Sequence, residues 1–400
     1  MSIDIALPVL SSLITSAWSS ELIKNWKDVE FETDYFEKLR EELKKSLPAR
    51  FPSLKTQMAK LISSYDEETL VLVLGAGVSV PYKLPNWDTL LQKLLLSSFQ
   101  KETDSDTDKS LVLAKLFTKI FSPNPLIAAR YLRNHYKENT EKDPLAFEKA
   151  IRKALYSNLK KNFQSPLFRE IVQLCVAPGK TPNLNSIITY NYDDILETHL
   201  KEINISVPHK SISTLGVTLS SGELGIYHVH GYLPRAGRLT PTSLVTLSED
   251  EYHQQYSNTY SWNNIVQINK FRENTCLFIG LSLTDPNIRR LLDIANSQRG
   301  SAKPKHYSIR KRYEKGIIKD ALNKILKDNP EILDEKSKAK LKFDETINTL
   351  VKVMETFETK DDLSFGISTI WVDEHEHIPE ILEGVRLKNN DVKFTKQTAE

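Results

Sequence analysis

The chain has 400 residues, 40% of them hydrophobic and 26% charged, with a formal net charge of +2, which leaves ample apolar mass for one large core or two moderate ones. So small a charge excludes a broadly basic surface, and no direct nucleic-acid binding is expected. Two cysteines, Cys175 and Cys276, exclude a four-cysteine zinc site and fit a reducing compartment; with no basic-then-apolar leader and no apolar run of membrane-spanning length, the expected location is cytoplasmic, with no membrane partner.

Residues 1–65 read as a helical N-terminal arm. Leu7, Val9, Leu10, Leu13 and Ile14 give one apolar stripe, and Tyr35, Leu39, Leu43 and Leu47 a second that Pro48 stops. Residues 51–65 read as a third helix. The run 70–74, LVLVL, is a short apolar stretch of the kind buried on both faces of a parallel sheet. Gly75, Ala76 and Gly77 follow, small enough for a tight turn and for close approach of backbone amides to a charged ligand. Trp87, Leu90, Leu91 and Leu94 then carry helical spacing. Strand, glycine turn and helix together form a nucleotide-site hypothesis, although Val80 stands where a full G-x-G-x-x-G would have its last glycine, and there is no G-K-S/T.

The polar stretch 101–109 reads as a loop. Helical patterning around 111–117, 127–136, 145–159 and 167–176 reads as a helical insertion spanning about 100–180. A second strand at 186–189 leaves through Tyr190, Asn191, Tyr192, Asp193 and Asp194, polar residues where ligands sit in open parallel sheets. A helix opens at Ile195, with His199 read as a packing or surface residue. Residues 201–225 read as a short strand or loop. In 226–231, IYHVHG, alternation places Ile226, His228 and His230 on one face. No third ligand accompanies the two histidines, so a functional His230 is favoured over a metal pair.

A helix is predicted at 260–271 and a third buried strand at 275–279, followed by Gly280 and Ser282. Asp285 suits the N-cap of a helix with Pro286 in its first turn. A strand at 306–310, a lysine-rich helical region at 311–360, a strand at 367–372 and a helix around Ile378, Ile381 and Leu382 complete the pattern. Arg310, Lys311, Arg312 and Lys315 read as solvated charge. Alternating strands and helices give an α/β class with a mostly parallel sheet. The expected units are 1–65, 66–385 and a polar tail at 386–400.

Four segments in this order, GAGVS at 75–79, TYNYDD at 189–194, VHG at 229–231 and GLSLTDP at 280–286, resemble the sirtuin-like NAD-consuming proteins, and as a set most resemble those of bacterial antiphage defence. A late IWVD at 370–373 adds to the likeness. The resemblance implies a Rossmann-like sheet and NAD as substrate. It implies that Gly75, Ala76, Gly77 and Ser79 line the diphosphate and adjacent ribose, that Asn191 and His230 are catalytic, and that Asp193 supports the ribose pocket. Gly280 and Ser282 would meet the cofactor from the opposite strand end, with Asp285 nearby. Deacylating sirtuins carry a four-cysteine zinc module and an acidic residue after the cofactor-loop proline. Here there are two cysteines, and Asn86 follows Pro85, so no zinc is expected and the reading moves to NAD hydrolysis: an NAD glycohydrolase that depletes NAD in abortive infection. The alternative is an NAD- or ADP-ribose-binding regulatory subunit of an ATPase or nuclease defence complex. The resemblance further implies a homo-oligomer and a HerA-type ATPase partner.

Overall fold

The structure is a computed structural model, and it describes residues 52–99, 125–138, 143–160, 163–176, 183–203, 207–299, 306–328 and 343–394. The helical readings for 1–51 and around 111–117, and the loop at 101–109, lie outside these residues.

Helix α1 (Leu54–Asp66) leads into strand β1 (Leu70–Leu74), then α2 (Trp87–Phe99), α3 (Pro125–Glu138), α4 (Ala146–Tyr156) and α5 (Pro166–Cys175). Next come β2 (Leu184–Thr189), α6 (Ile195–Glu202), β3 (His209–Ile212), β4 (Leu224–His228), α7 (Glu249–Ser257), α8 (Trp262–Glu273) and β5 (Thr275–Ile279). The chain continues through α9 (Pro286–Gln298), β6 (His306–Lys311), α10 (Lys315–Asp328), α11 (Phe343–Ser364), β7 (Ile367–Val372) and α12 (His377–Arg386). The seven strands form one sheet in the order β3-β4-β2-β1-β5-β6-β7, and every pairing is parallel. This is a Rossmann-like α/β fold with helical insertions between β1 and β2.

The unbroken apolar run of β1 has a direct cause. Leu70, Leu72 and Leu74 join Ile187, Leu277 and Ile279 in the core on one face. Val71 and Val73 join Ile188, Cys276 and Phe278 on the other. With both faces covered, period-two alternation of polar residues has no place in the strand. The first face is closed by α1, α2, α5 and α12, through Met58, Leu61, Leu94, Ile171 and Ile381, and the second by α8 and α9, through Phe271, Ile288 and Leu291. Each such buried side chain contributes about 1.5–3 kcal/mol relative to exposure. Helix α1 is tied to the far edge of the sheet by Gln57, whose Nε2 donates to Ser368 Oγ and the Thr369 carbonyl at 2.9 and 3.0 Å.

Two details depart from the sequence reading. Arg310 is not solvated charge: its Nε and Nη2 clasp the buried Asp362 carboxylate at 2.9 and 2.7 Å, and Asp362 also accepts from Ser308 and Thr369. The pair clamps α11 across β6 and β7. The start of the polar tail is also packed, with Val392 and Phe394 against the core and the Phe394 ring stacked on His377 at 4.4 Å.

From β1 the chain goes to β2 on one side, and β5 lies on the other. That reversal puts a crevice beyond the carboxyl ends of β2, β1 and β5. Among the described residues, no helix is long and apolar enough to cross a membrane.

Candidate functional site

The loops leaving β1 and β5 interlock. Gly75 N–H donates to the Ile279 carbonyl at 3.0 Å and Gly77 N–H to the Gly280 carbonyl at 2.9 Å. A Cβ on Gly75 would lie 2.5 Å from Gly280 O, and one on Gly77 2.7 Å from Gly280 Cα. Gly280 itself has φ +66°, with a would-be Cβ 2.6 Å from Val78 N. The glycines are therefore required for the loops to touch each other, a reason different from the ligand approach read in the sequence. Ala76 stays exposed and Gly77, Gly280 and Ser282 half-buried, so the outer side of this joint is open.

Asn191 sits just past β2 and is 9% exposed. Its Nδ2 donates to the Gly75 carbonyl and to Ser79 Oγ, both at 3.1 Å. A carbonyl only accepts, which fixes the amide with nitrogen inward and leaves Oδ1 as its remaining polar atom. The Ser79 hydroxyl in turn donates to Asp193 Oδ2 at 2.9 Å, and Asp193 Oδ1 takes the Ile195 N–H at 3.1 Å. Ser79 is 2% exposed, so its proton and a lone pair are both spent orienting Asn191. Asp193, placed in the sequence reading at a ribose pocket, supports Asn191 through Ser79 and opens α6.

Burial lifts the Asp193 carboxyl to about 6, with Glu197 adding to the rise and the Ile195 N–H, Ser79 and His228 opposing it. A folded-state value above the ordinary one means that protonation favours the fold. The contribution is complete below about pH 4 and is lost as pH rises through about 6. Asp193→Asn keeps the shape and has no charge to bury. Relative to wild type it is expected to gain roughly 2–3 kcal/mol of stability between about pH 4 and about pH 7. Melting curves across that range check this, and a difference between the two proteins that does not change with pH counts against it.

His230 lies past β4, and its surroundings differ from those of His228. The strand ends at His228, where Gly231 N–H closes a turn on the His228 carbonyl at 3.1 Å. Gly231 has φ +103°, and a Cβ there would be 2.3 Å from Leu244 O. The alternation read in the sequence therefore stops at His228, two residues before His230. His228 stays with Ile226, Glu197 and Asn191, whereas His230 enters a second cluster. Its ring meets Tyr190 edge-on at 4.8 Å and Tyr252 at 5.8 Å. His230 is 5% exposed, and its Nε2 has no hydrogen-bond partner among the described residues. Burial lowers its pKa from the ordinary imidazole value, and Asp285, 4.0 Å from Nε2, opposes that shift. The lowered pKa favours the neutral ring at pH 7, and that ring carries an unsatisfied nitrogen.

Asp285 caps α9, as its position predicts, with Oδ1 accepting from the Asn287 and Ile288 amides at 2.7 and 3.1 Å. Its Oδ2 also receives the Tyr252 hydroxyl at 2.5 Å. One carboxylate thus joins α9, α7 and the surroundings of His230. The Ser282 hydroxyl pairs with that of Thr284 at 2.7 Å, away from Asn191 and His230 in the hydrogen-bond network. Among the described residues there is no group of three or more His, Cys, Asp or Glu side chains that could hold a metal ion. A cavity of about 10 Å³ beside Asn191, Asp193, Glu197 and His228 is the size of a water. A ligand of dinucleotide size does not fit in it.

The sequence reading missed Tyr252, Tyr190 and the Glu197–His228 pair. Helix α7, which carries Tyr252, did announce itself: Ser248 and Glu251 have capping-box spacing, and the Glu251 carboxylate accepts from the Leu247 and Ser248 amides at 2.8 and 2.9 Å.

Two comparisons bear on this geometry. The chain is 27% identical over 203 residues to the NAD(+) hydrolase ThsA of Enterococcus faecium, an alignment that covers 50% of this chain and 37% of that protein. Residues 185–331 match the family model of the SIR2-like domain, and that segment holds Asn191, His230 and the Gly280–Asp285 loop, so the part of the chain that carries the candidate site is similar to sirtuin-like proteins.

Proposed function

We propose that this chain hydrolyses NAD at the bond between nicotinamide and ribose, giving nicotinamide and ADP-ribose, and that the resulting loss of NAD serves bacterial antiphage defence. One observation carries the reading: an oriented amide, Asn191, and a buried neutral imidazole with an unsatisfied nitrogen, His230, both lie at the carboxyl edge of a parallel sheet. The relative named as an NAD(+) hydrolase supports the substrate.

In the reaction the bond from ribose C1′ to the pyridinium nitrogen breaks, and its electron pair neutralises the ring as nicotinamide leaves. A water oxygen bonds to C1′, and its proton passes to a base. Asn191 Oδ1 accepts from the attacking water or from a ribose hydroxyl and so aligns it. His230 Nε2 takes the proton. Asp285 stabilises the imidazolium that forms, held in place by Tyr252 and two helix amides. The glycine joint gives backbone on the open side a close approach to the dinucleotide. On the same reading, a homo-oligomer and a HerA-type ATPase restrain the activity.

Chromatography of NAD incubated with the full chain, alone and with a co-expressed ATPase, tests this. Release of nicotinamide and ADP-ribose in equal amounts is the expected result. Intact NAD under all conditions, with binding seen by calorimetry, would replace this reading with that of a ligand-binding regulatory subunit. Release of a cyclic product would revise the acceptor from water to the adenine of the same molecule.

A further inference from the structure

The main-chain groups of Asn191 lie beyond the last ladder bonds of β2, where Tyr190 N–H meets Leu74 O and Val229 N–H meets Thr189 O. Side chains take over from the ladder. The Asn191 amide donates to Thr189 Oγ1 at 3.1 Å, and its carbonyl faces His228 Nδ1 at 3.1 Å. On the other side of that ring, Nε2 meets Glu197 Oε1 at 2.7 Å. His228 and Glu197 are 1% and 3% exposed.

We propose that His228 is a positioning residue: as an imidazolium balanced by Glu197, it holds the Asn191 carbonyl and so sets where the Asn191 amide stands over the substrate. The inference rests on the role given to Asn191 above. Its chemistry is that of acceptors. The Asn191 carbonyl can only accept, so Nδ1 carries a proton. Glu197 Oε1 accepts the Ser211 hydroxyl at 2.7 Å, and as a carboxylate, the form its lowered pKa favours, it accepts from Nε2 as well, which then carries the second proton. Two protonated nitrogens make the ring a cation, and its counter-charge is in contact.

The groups that face this cation are few. From α6 and the turn before it come Glu197 and Asp193, from β3 the neutral Ser211, and from the loop after β4 the Tyr232 ring at 4.1 Å. The cavity beside the ring is otherwise lined by the neutral Thr189 and the apolar Leu74, Val78, Phe168, Leu196 and Ile226. The carboxyl of Glu197 is held below its usual range against the burial that would raise it, with the charge of His228 the first influence opposing that burial.

The experiment has two arms on the full chain. In protein labelled with ¹⁵N-histidine, two-bond ¹H–¹⁵N spectra at pH 7 are expected to show both His228 nitrogens protonated and His230 neutral. The signal is assigned by its loss in His228→Asn. A neutral His228 tautomer at pH 7 overturns the charged pair.

The second arm removes both charges together, so that no carboxylate is left buried alone. His228→Asn with Glu197→Gln keeps a donor near the Asn191 carbonyl, whereas His228→Leu with Glu197→Gln removes it. The first is expected to keep kcat for nicotinamide release within about threefold, and the second to lose about tenfold or more at unchanged KM. Equal kcat in the two double variants overturns the positioning role. If wild type releases no nicotinamide, the functional reading falls. The same comparison is then read from the Asn191 side-chain amide resonance, expected to keep its shift in the first double variant and to move in the second; an unmoved resonance in both overturns the proposal.

Discussion

Replacing His230 by alanine is expected to lower kcat for nicotinamide release by about 10²–10⁴-fold, the usual range for loss of a general base. The geometry argues for a catalytic rather than a packing loss. A histidine kept for packing would have both ring nitrogens satisfied or facing apolar groups; here Nε2 is buried, has no hydrogen-bond partner among the described residues and stands 4.0 Å from a carboxylate. Leaving a nitrogen unsatisfied costs stability, and the fold keeps it. His230→Gln serves as the companion variant, because it retains bulk between Tyr190 and Tyr252 yet takes up no proton near neutrality. His230→Gln is expected to melt close to wild type, and both variants are expected to fail in turnover. Retained turnover in His230→Gln would show that His230 is not the base.

The pH profile gives a second handle on the same residue. A base works when it is neutral, and burial lowers the pKa of His230 while Asp285 works against that shift. The acidic limb of kcat/KM is therefore expected below the ordinary imidazole value. Asp285→Asn removes the opposing charge but keeps a good N-cap, so the limb is expected to move further towards acid. Movement towards base would show that another group titrates.

What was legible in the sequence follows from distance along the chain. Strands β1, β2, β5 and β7 could be read because each is a short apolar run bounded by polar or glycine residues, a purely local property. Asn191, His230 and Asp285 could be placed at strand ends for the same reason. The contacts that give them roles were not legible, because they join residues far apart in sequence: Asn191 to Gly75 and Ser79, Tyr252 to Asp285, and Arg310 to Asp362. No periodicity encodes such pairs. His228 shows the limit most clearly. Alternation correctly put it on a face with Ile226, but nothing local says that β4 ends there and that His230 turns away, which depends on Gly231 at positive φ beside the Leu244 carbonyl. The glycines of 75–77 were noticed for their small size, but the sequence does not show that the loop after β5 packs against them.

Asn191→Asp separates shape from chemistry at the other half of the site. The substitution is nearly isosteric, and it exchanges the one donor that the surroundings demand for an acceptor. The Gly75 carbonyl would then face an oxygen at about the 3.1 Å where it now meets Nδ2. Ser79, whose proton is already given to Asp193, could not serve both carboxylates. Repulsion from Gly75 O and Asp193 would turn the group away, and a misplacement of about 1 Å costs on the order of 10²-fold in rate. Turnover is therefore expected to fall at least that far at pH 8, although the side chain has kept its size. The new carboxyl, buried beside Asp193, would hold its proton to a higher pH than usual. Once protonated, it regains one donor for Gly75 O, so part of the lost rate is expected to return as pH falls towards about 5, against the direction in which His230 loses its neutral form. Nicotinamide release by Asn191→Asp and Asn191→Ala, followed from about pH 5 to about pH 8, resolves the two: only the aspartate variant should gain on wild type in acid. If the two variants track each other at every pH, a donor regained for Gly75 O does not restore turnover, and the amide nitrogen is not what orients the site.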